Sequence, residues 1–436
     1  MLSAQSDLNE NIDWWFIYKL PKSCGPKHNP TSGKEYLYFQ SDQKTPLSLS
    51  TNKLGEGPSG ALYHTLEQLF KSQSPNVGWI HYNDEYPASI QPTDFPKDIP
   101  AKFHRQNESE NANKNGHGKP VNHDNNGHCK GTLAFDLDTN SAFWLSHSTP
   151  RIPGLHLDNE EASFYPQYAD QYAQTFICIS LANVSTAQQI AKVLTAQHQP
   201  QVFGCKLPDV VAEDSKFADL WQLAQGSLPP TYSEKYVEKH GKKTPADLTF
   251  YAKSGKSFRL LAKSGAWFDD FWIDLVGPTL EVDLRIETWR RLTKTALLPT
   301  KNGQEIADDY GKQDFITTYK GRYYHHEFTE IGDKEIIDEI TNIDLRMLTD
   351  HQGNKLVNYH WPYTKDHAKW AISEAIIERG QKEDDNLEAT QLSWVCIADM
   401  NRMTSQEKRG GGAICFHEPL LWQGLNEIEL ISGKIT

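Results

Sequence analysis

The feature that most constrains this chain is a short pattern that occurs twice, each time feeding a strand. The first copy is Gly127-His128-Cys129-Lys130-Gly131, which runs into Thr132-Leu133-Ala134-Phe135-Asp136. Asp138-Thr139-Asn140 is turn chemistry, and Ser141 to Leu145 reads as the return strand, ending in His147-Ser148. The second copy is Asp366-His367-Ala368-Lys369, followed by Trp370-Ala371-Ile372-Ser373 and later by the strand pattern Trp394 to Ala398, ending in Asp399 and Asn401. On an extended chain, alternate side chains leave the same face. His128 and Lys130 therefore point together, and Cys129 points away. An imidazole beside an ammonium suits phosphate chemistry, because one attacks or moves a proton while the other neutralises oxyanion charge. A single His-x-Lys is more often an ordinary surface pair. Two half-sites of one design predict a duplicated unit with a composite site at the interface of its halves.

The charge balance restricts what such a site can act on. The 436 residues carry a formal charge of -13 with histidines neutral, which argues against a constitutive nucleic-acid binder at neutral pH. With all 17 histidines protonated, -13 becomes +4, so the balance reverses in acid. Hydrophobic residues at 38% are ample for a core in two domains or one bilobal unit, and no apolar run approaches a membrane span. The polar start, Met1 to Asn11, does not read as a signal peptide. Six cysteines are too few for a disulfide scaffold. A bridge between Cys396 and Cys415 would close the loop Asp399 to Gly412, whereas Cys24, Cys129, Cys178 and Cys205 have no evident partners. No Cys pair has metal spacing.

Along the chain, Ile12 to Leu20 reads as a buried strand with Glu35 to Phe39 as its hairpin partner. Pro58 to Ser72 carries Leu62, Leu66 and Leu69 at helical spacing, and Val77 to Tyr82 is the next strand. Lys97 to Asn126 is a polar loop; His104, His117, His123 and His128 lack the acidic partners and spacing of a metal site. Asn107-Glu108-Ser109 and Asn183-Val184-Ser185 are glycosylation sequons, relevant only to a secreted chain. Tyr172 to Leu181 reads as a strand and Ser185 to Ala196 as a helix. Gln225 to Ala246 is the crossing between halves, with Lys239 to Lys243 a charged, solvated run. A hairpin, Leu248 to Lys263, opens the second half. Phe268 to Leu275 suits an amphipathic helix, Leu280 to Ile286 a strand, and Asp333 to Leu348 a helix. Lys408 to Gly412 is a loop able to approach a phosphate, or a plain tight turn.

Taken in order, Asp13-Trp14, Tyr18-Lys19-Leu20-Pro21-Lys22, Tyr82-Asn83-Asp84, Gly127 to Gly131, Phe143 to Pro150, Asp366 to Trp370, Trp394-Val395-Cys396, Asp399 to Arg402 and Arg409 to Cys415 resemble deoxyribonuclease II across nearly the whole chain. The resemblance implies a mixed α/β, phospholipase D-like fold of two similar halves, at 1–235 and 236–436, each bearing one motif. It implies a metal-independent acid endonuclease that needs no cofactor, cuts double-stranded DNA and leaves 3′-phosphates. His128, Lys130, His367 and Lys369 match the family's two motifs, His147 its additional active-site histidine, and Cys396 and Cys415 a family disulfide. Asn401 and Arg402 are expected to bind or orient substrate, with Asp399 behind them. A homodimer facing a duplex, no membrane partner, and a secreted, periplasmic or lysosomal location also follow from it. Cys129 between the motif residues departs from the family pattern, as do the missing secretion signal and the long Lys97 to Asn126 insertion. Two other readings fit parts of the sequence: a phospholipase D-type lipid phosphodiesterase, which the paired motifs alone allow, and a noncatalytic DNA-binding protein.

Overall fold

The computed structural model describes residues 1–84, 125–152, 165, 167–282, 284–289, 316–317, 340–373 and 393–432. Two antiparallel-rich sheets organise them. The first has nine strands in the order Val202–Lys206, Val77–Tyr82, Gly131–Asp136, Ser141–His147, Gln174–Leu181, Trp14–Lys19, Glu35–Gln40, Ser48–Lys53 and Thr349–Asp350. The second has seven, in the order Ala246–Tyr251, Ser257–Lys263, Gly411–His417, Trp394–Ala398, Lys369–Ser373, Leu284–Thr288 and Ile316–Thr317. With its helices, the chain is mixed α+β, as expected. Among the described residues no helix is long and apolar enough to cross a membrane.

Alternation within strands decides which faces meet. Trp14, Phe16 and Tyr18 turn inward and share one core with Trp144 and Ile177 of the first sheet and Phe258, Leu260, Trp370 and Phe416 of the second. The two sheets therefore pack face to face, and Trp14 lies 5.0 Å from Phe416 ring to ring. Trp15, Ile17, Phe143 and Phe176 turn outward, onto Leu62, Leu66 and Leu69 of the helix Ala61–Lys71. On the far side, Leu261, Ala371, Cys396 and Cys415 pack on Phe271, Trp272 and Val276. Burying side chains of this size contributes roughly 1.5–3 kcal/mol apiece.

The hairpins are where the local signals put them: Trp14–Lys19 with Glu35–Gln40, Gly131–Asp136 with Ser141–His147, and Ala246–Tyr251 with Ser257–Lys263. Other expectations need correction. The helix expected over Asp333 to Leu348 is, from residue 340 on, the strand Ile340–Asp344 followed by a turn. Pairing with His360–Pro362 and Glu429–Ser432 overrides the local helical spacing. Residues 333–339 lie outside the described residues, as do 97–124 of the expected polar loop. The amphipathic helix begins at Phe271, widens through Val276 and ends at Leu280, so the expected strand starts only at Leu284. Glu281, at φ 56°, takes the left-handed conformation that stops the helix. The crossing segment contains the helix Glu234–His240, and the loop Asp399 to Gly412 contains Thr404–Glu407. Cys396 and Cys415 are bridged and stand opposite each other on paired strands. Cys24, Cys129, Cys178 and Cys205 are buried and form no disulfide among the described residues.

Candidate active site

Both His-x-Lys segments sit at one end of the paired sheets. Gly131–Asp136 starts there, while Val77–Tyr82 and Ser141–His147 finish there, with Tyr82 opposite Gly131 and Gly131 opposite Ser146. In the second sheet Lys369 and Gly411 begin strands at that end, and Ala398 and Lys263 finish them. Strand ends are where backbone leaves the ladder and polar side chains can converge.

Each motif is fastened by the opposite half of the chain. The His128 amide donates to Gly410 O at 2.8 Å, and His128 Nδ1 lies 2.6 Å from the Asp399 carbonyl. Arg409 donates to the carbonyls of Asn126 at 2.9 Å and Gly127 at 3.2 Å. The approach is so close that a Cβ on Gly127 would stand 1.8 Å from the His198 carbonyl oxygen. Only glycine admits that crossing. Reciprocally, the His367 amide donates to Ala173 O at 3.0 Å and the Ala173 amide to Lys365 O at 2.7 Å. Asp366 holds the turn: Tyr18 and Trp361 donate to its Oδ2, and the Ala368 amide donates to its Oδ1 at 2.8 Å. The His367 ring stacks on Tyr172 at 3.8 Å and lies tilted against Trp289 at 3.9 Å.

The charges then fall into one buried group. Lys130 Nζ lies 2.7 Å from Asp84 Oδ2, and His128 Nε2 lies 3.4 Å from the same oxygen. Burial alone would raise the Asp84 carboxyl, but Lys130, then His128 and Arg409, hold it well below the carboxylate range. Burial pushes His128 well below its ordinary value; Lys130, Arg409 and Lys369 push the same way, and Asp84 opposes them. Lys369 falls to about 7, through burial first and the neighbouring Lys130 second. Each lysine is thus within electrostatic reach of the other motif. Lys369 Nζ also donates to the His367 carbonyl at 2.6 Å. Asp399 rises to about 7 by burial, against the Gly412 amide on its Oδ1 at 2.7 Å and the two lysines. His198 Nε2 faces its other oxygen at 3.5 Å and is itself held at about 3 by burial.

The remaining expected residues are placed as follows. Cys129 turns into the inner core, away from Lys130, as the alternation requires. His147 is buried next to this group, its amide on the Lys130 carbonyl at 3.1 Å and its ring stacked on Phe176 at 5.5 Å. Burial, with Lys130 second, holds it at about 3. Asn401 is buried beyond Asp399, and its side-chain carbonyl takes no hydrogen bond among the described residues. Arg402 turns to the far side of the second sheet, where its Nε pairs with Asp270 at 2.9 Å. Asp84, Asp366, His198 and Arg409 were not singled out individually by spacing. Asp84 follows, by two residues, the strand Val77–Tyr82 beside the first motif, which is the one local signal among them.

The family model described as deoxyribonuclease II matches residues 3–431. A Burkholderia thailandensis protein named putative deoxyribonuclease-2 is 31% identical, over 99% of this chain and 93% of that protein. A Caenorhabditis elegans deoxyribonuclease-2 is 27% identical over 98% of the chain and 92% of its own length. The rat deoxyribonuclease-2-alpha is 25% identical over 98% and 93%.

Proposed function

The chain belongs to the deoxyribonuclease II family, a hydrolase family acting on DNA, and from that premise we propose a metal-independent acid endonuclease that cuts duplex DNA to 3′-phosphates. The observation that carries this reading is the reciprocal fastening of the two motifs, which puts Lys130 and Lys369 in one electrostatic group with His128. The Asp399 carbonyl accepts a hydrogen bond from His128 Nδ1–H, which leaves Nε2, on the side of Asp84, to carry the lone pair. His128 is accordingly the nucleophile. Its Nε2 bonds to phosphorus, the bond from phosphorus to O5′ breaks, and His367 gives its proton to that oxygen. Water then releases the 3′-phosphate and free His128. Lys130 and Lys369 neutralise the nonbridging oxygens, and His147 and Asn401 orient the site.

Falling pH moves the site charge toward phosphate. Below about 7 Lys369 is an ammonium and the Asp399 carboxyl is neutral. The shared core between two sheets that each carry one motif supports the phospholipase D-like fold and the division at 1–235 and 236–436. A homodimer completes the proposal by analogy.

The test is plasmid nicking at pH 5 in EDTA, beside phosphatidylcholine hydrolysis and duplex binding. We expect nicking without metal, no lipid turnover, and loss of about 10³-fold or more in His128→Ala. On a substrate with a nitrophenolate 5′ leaving group, His367→Ala should retain much of its rate, because that group needs no acid, while His128→Ala stays dead. The reverse pattern would exchange the two roles. Nicking that EDTA abolishes and a metal restores refutes the metal-free route; lipid turnover or binding alone supports the other two readings.

A further inference from the structure

The crossing between the halves arrives at the site-bearing end of the sheets, because Ala246 opens its strand opposite Ala262, next to Lys263. It is pinned there on several sides. Asn126 Nδ2 donates to Ser227 O at 2.8 Å, and Gln197 Nε2 to Thr244 O at 3.0 Å. The Lys243 amide donates to Ala266 O at 3.2 Å. The Tyr232 ring lies so near Gly265 that a Cβ there would be 2.3 Å from it and 2.3 Å from the Lys408 carbonyl. Lys408 leads directly into Gly410, whose carbonyl holds the His128 amide.

Between these anchors stands the helix Glu234–His240, which has no buried residue. Core packing therefore does not account for it. Ser233 caps it through the Tyr236 amide at 3.2 Å. Tyr232, Tyr236 and His240 form a run of ring contacts, edge-on at 5.1 Å and then tilted at 4.3 Å. Lys235 and Lys239 are four apart and exposed, so they share a face. In a chain of formal charge -13, residues 234–243 carry four lysines against two glutamates. Lys242 pairs with Asp269, and Lys243 reaches the Ala196 carbonyl.

We propose that Glu234–His240 is a rail for the DNA backbone, with Lys235 and Lys239 holding duplex phosphates outside the scissile step. The reading rests on DNA being the substrate. Seven residues at about 1.5 Å each span roughly 10 Å, or about three nucleotides of one strand at 3.4 Å. Local charge complementarity supplies the attraction that the acidic chain as a whole lacks.

The experiment compares Lys235→Gln/Lys239→Gln with Lys192→Gln/Lys253→Gln, which removes the same charge from two exposed lysines elsewhere. Binding of a 30-base-pair duplex is followed against salt at pH 5 in a His128→Ala background. Cleavage of plasmid and of thymidine 3′-(p-nitrophenyl phosphate) is followed with His128 intact. The rail variant should lose about two from the slope of log affinity against log salt, at about 0.9 per phosphate contact. Its KM for plasmid should rise about tenfold, and its rate on the nitrophenyl ester, too short to reach the helix, should not change. The control variant should change neither. A duplex slope and KM indifferent to Lys235 and Lys239, or equal losses in both variants, would overturn the rail and leave the nuclease reading standing. Slope-dependent duplex binding by a protein that cleaves neither substrate would do the opposite.

Discussion

Asp84 is the residue on which the charge of the first motif turns. A carboxylate beside a phosphate site is repulsive by itself, so its presence needs a reason. Its oxygen lies 2.7 Å from Lys130 Nζ and 3.4 Å from His128 Nε2, and all three are largely removed from water. It pairs with the buried ammonium and aims both side chains before substrate arrives. Asp84→Asn preserves shape and removes the charge. We expect about 3 kcal/mol of lost stability, the lower end for a buried pair that loses one partner. We expect on the order of 10²-fold lower kcat on a nitrophenyl phosphodiester. Thermal unfolding and steady-state kinetics on one preparation check both. Full activity with an unchanged melting point would remove Asp84 from the site.

At the scale of elements, the loop between the second sheet's central strands carries the seam. Asp399 and Gly410 both accept from His128, and the strands flanking that loop are tied by Cys396–Cys415. The bridge packs with Trp272 on the outer layer, away from the lysines. Joining positions 19 apart in the sequence, it removes about 3 kcal/mol of unfolded-chain freedom. Cys396→Ala/Cys415→Ala should therefore unfold at correspondingly lower denaturant, yet cleave at near the native rate at 25 °C. A rate lost in step with the bridge, while the chain stays folded, would mean that the bridge positions the loop. The strands and turns around His128 were legible because period-two alternation and Asp138-Thr139-Asn140 are local signals. The seam was not. Arg409 meets Asn126 across 283 positions, and His128 meets Asp399 across 271, which no local spacing encodes. Ile340–Asp344 was misread for the same reason, since its partners lie at 360–362 and 429–432. The family resemblance, carried by ordered motifs, reached these pairs only as a set.

At the scale of the whole molecule, the buried titratable groups set how far into acid the fold survives. His81, His147 and His198 are held at about 3 by burial, against about 6.5 in an unfolded chain. Between those values the unfolded state binds three protons that the folded state refuses, so each histidine removes stability as pH falls. Asp399 has the opposite sign. Its folded value of about 7 lies above the unfolded carboxyl near 3.9, so the folded state binds its proton first and gains as pH falls between them. Asp366 is raised in the same direction by burial. From about pH 6.5 to 4, then, the raised carboxyls offset part of what the histidines lose, and stability declines with a shallow slope. Below about 4 the offset ends, while the unfolded state starts to take up the proton that buried Asp84 refuses. The slope then steepens. The melting temperature should decline gently to about pH 4 and collapse between pH 4 and 3. His198→Gln, which keeps a polar side chain beside Asp399, should soften that collapse by one proton. A melting temperature that falls at constant slope from pH 7 to pH 3, or one unaffected by His198→Gln, would show that these groups do not govern the acid limit.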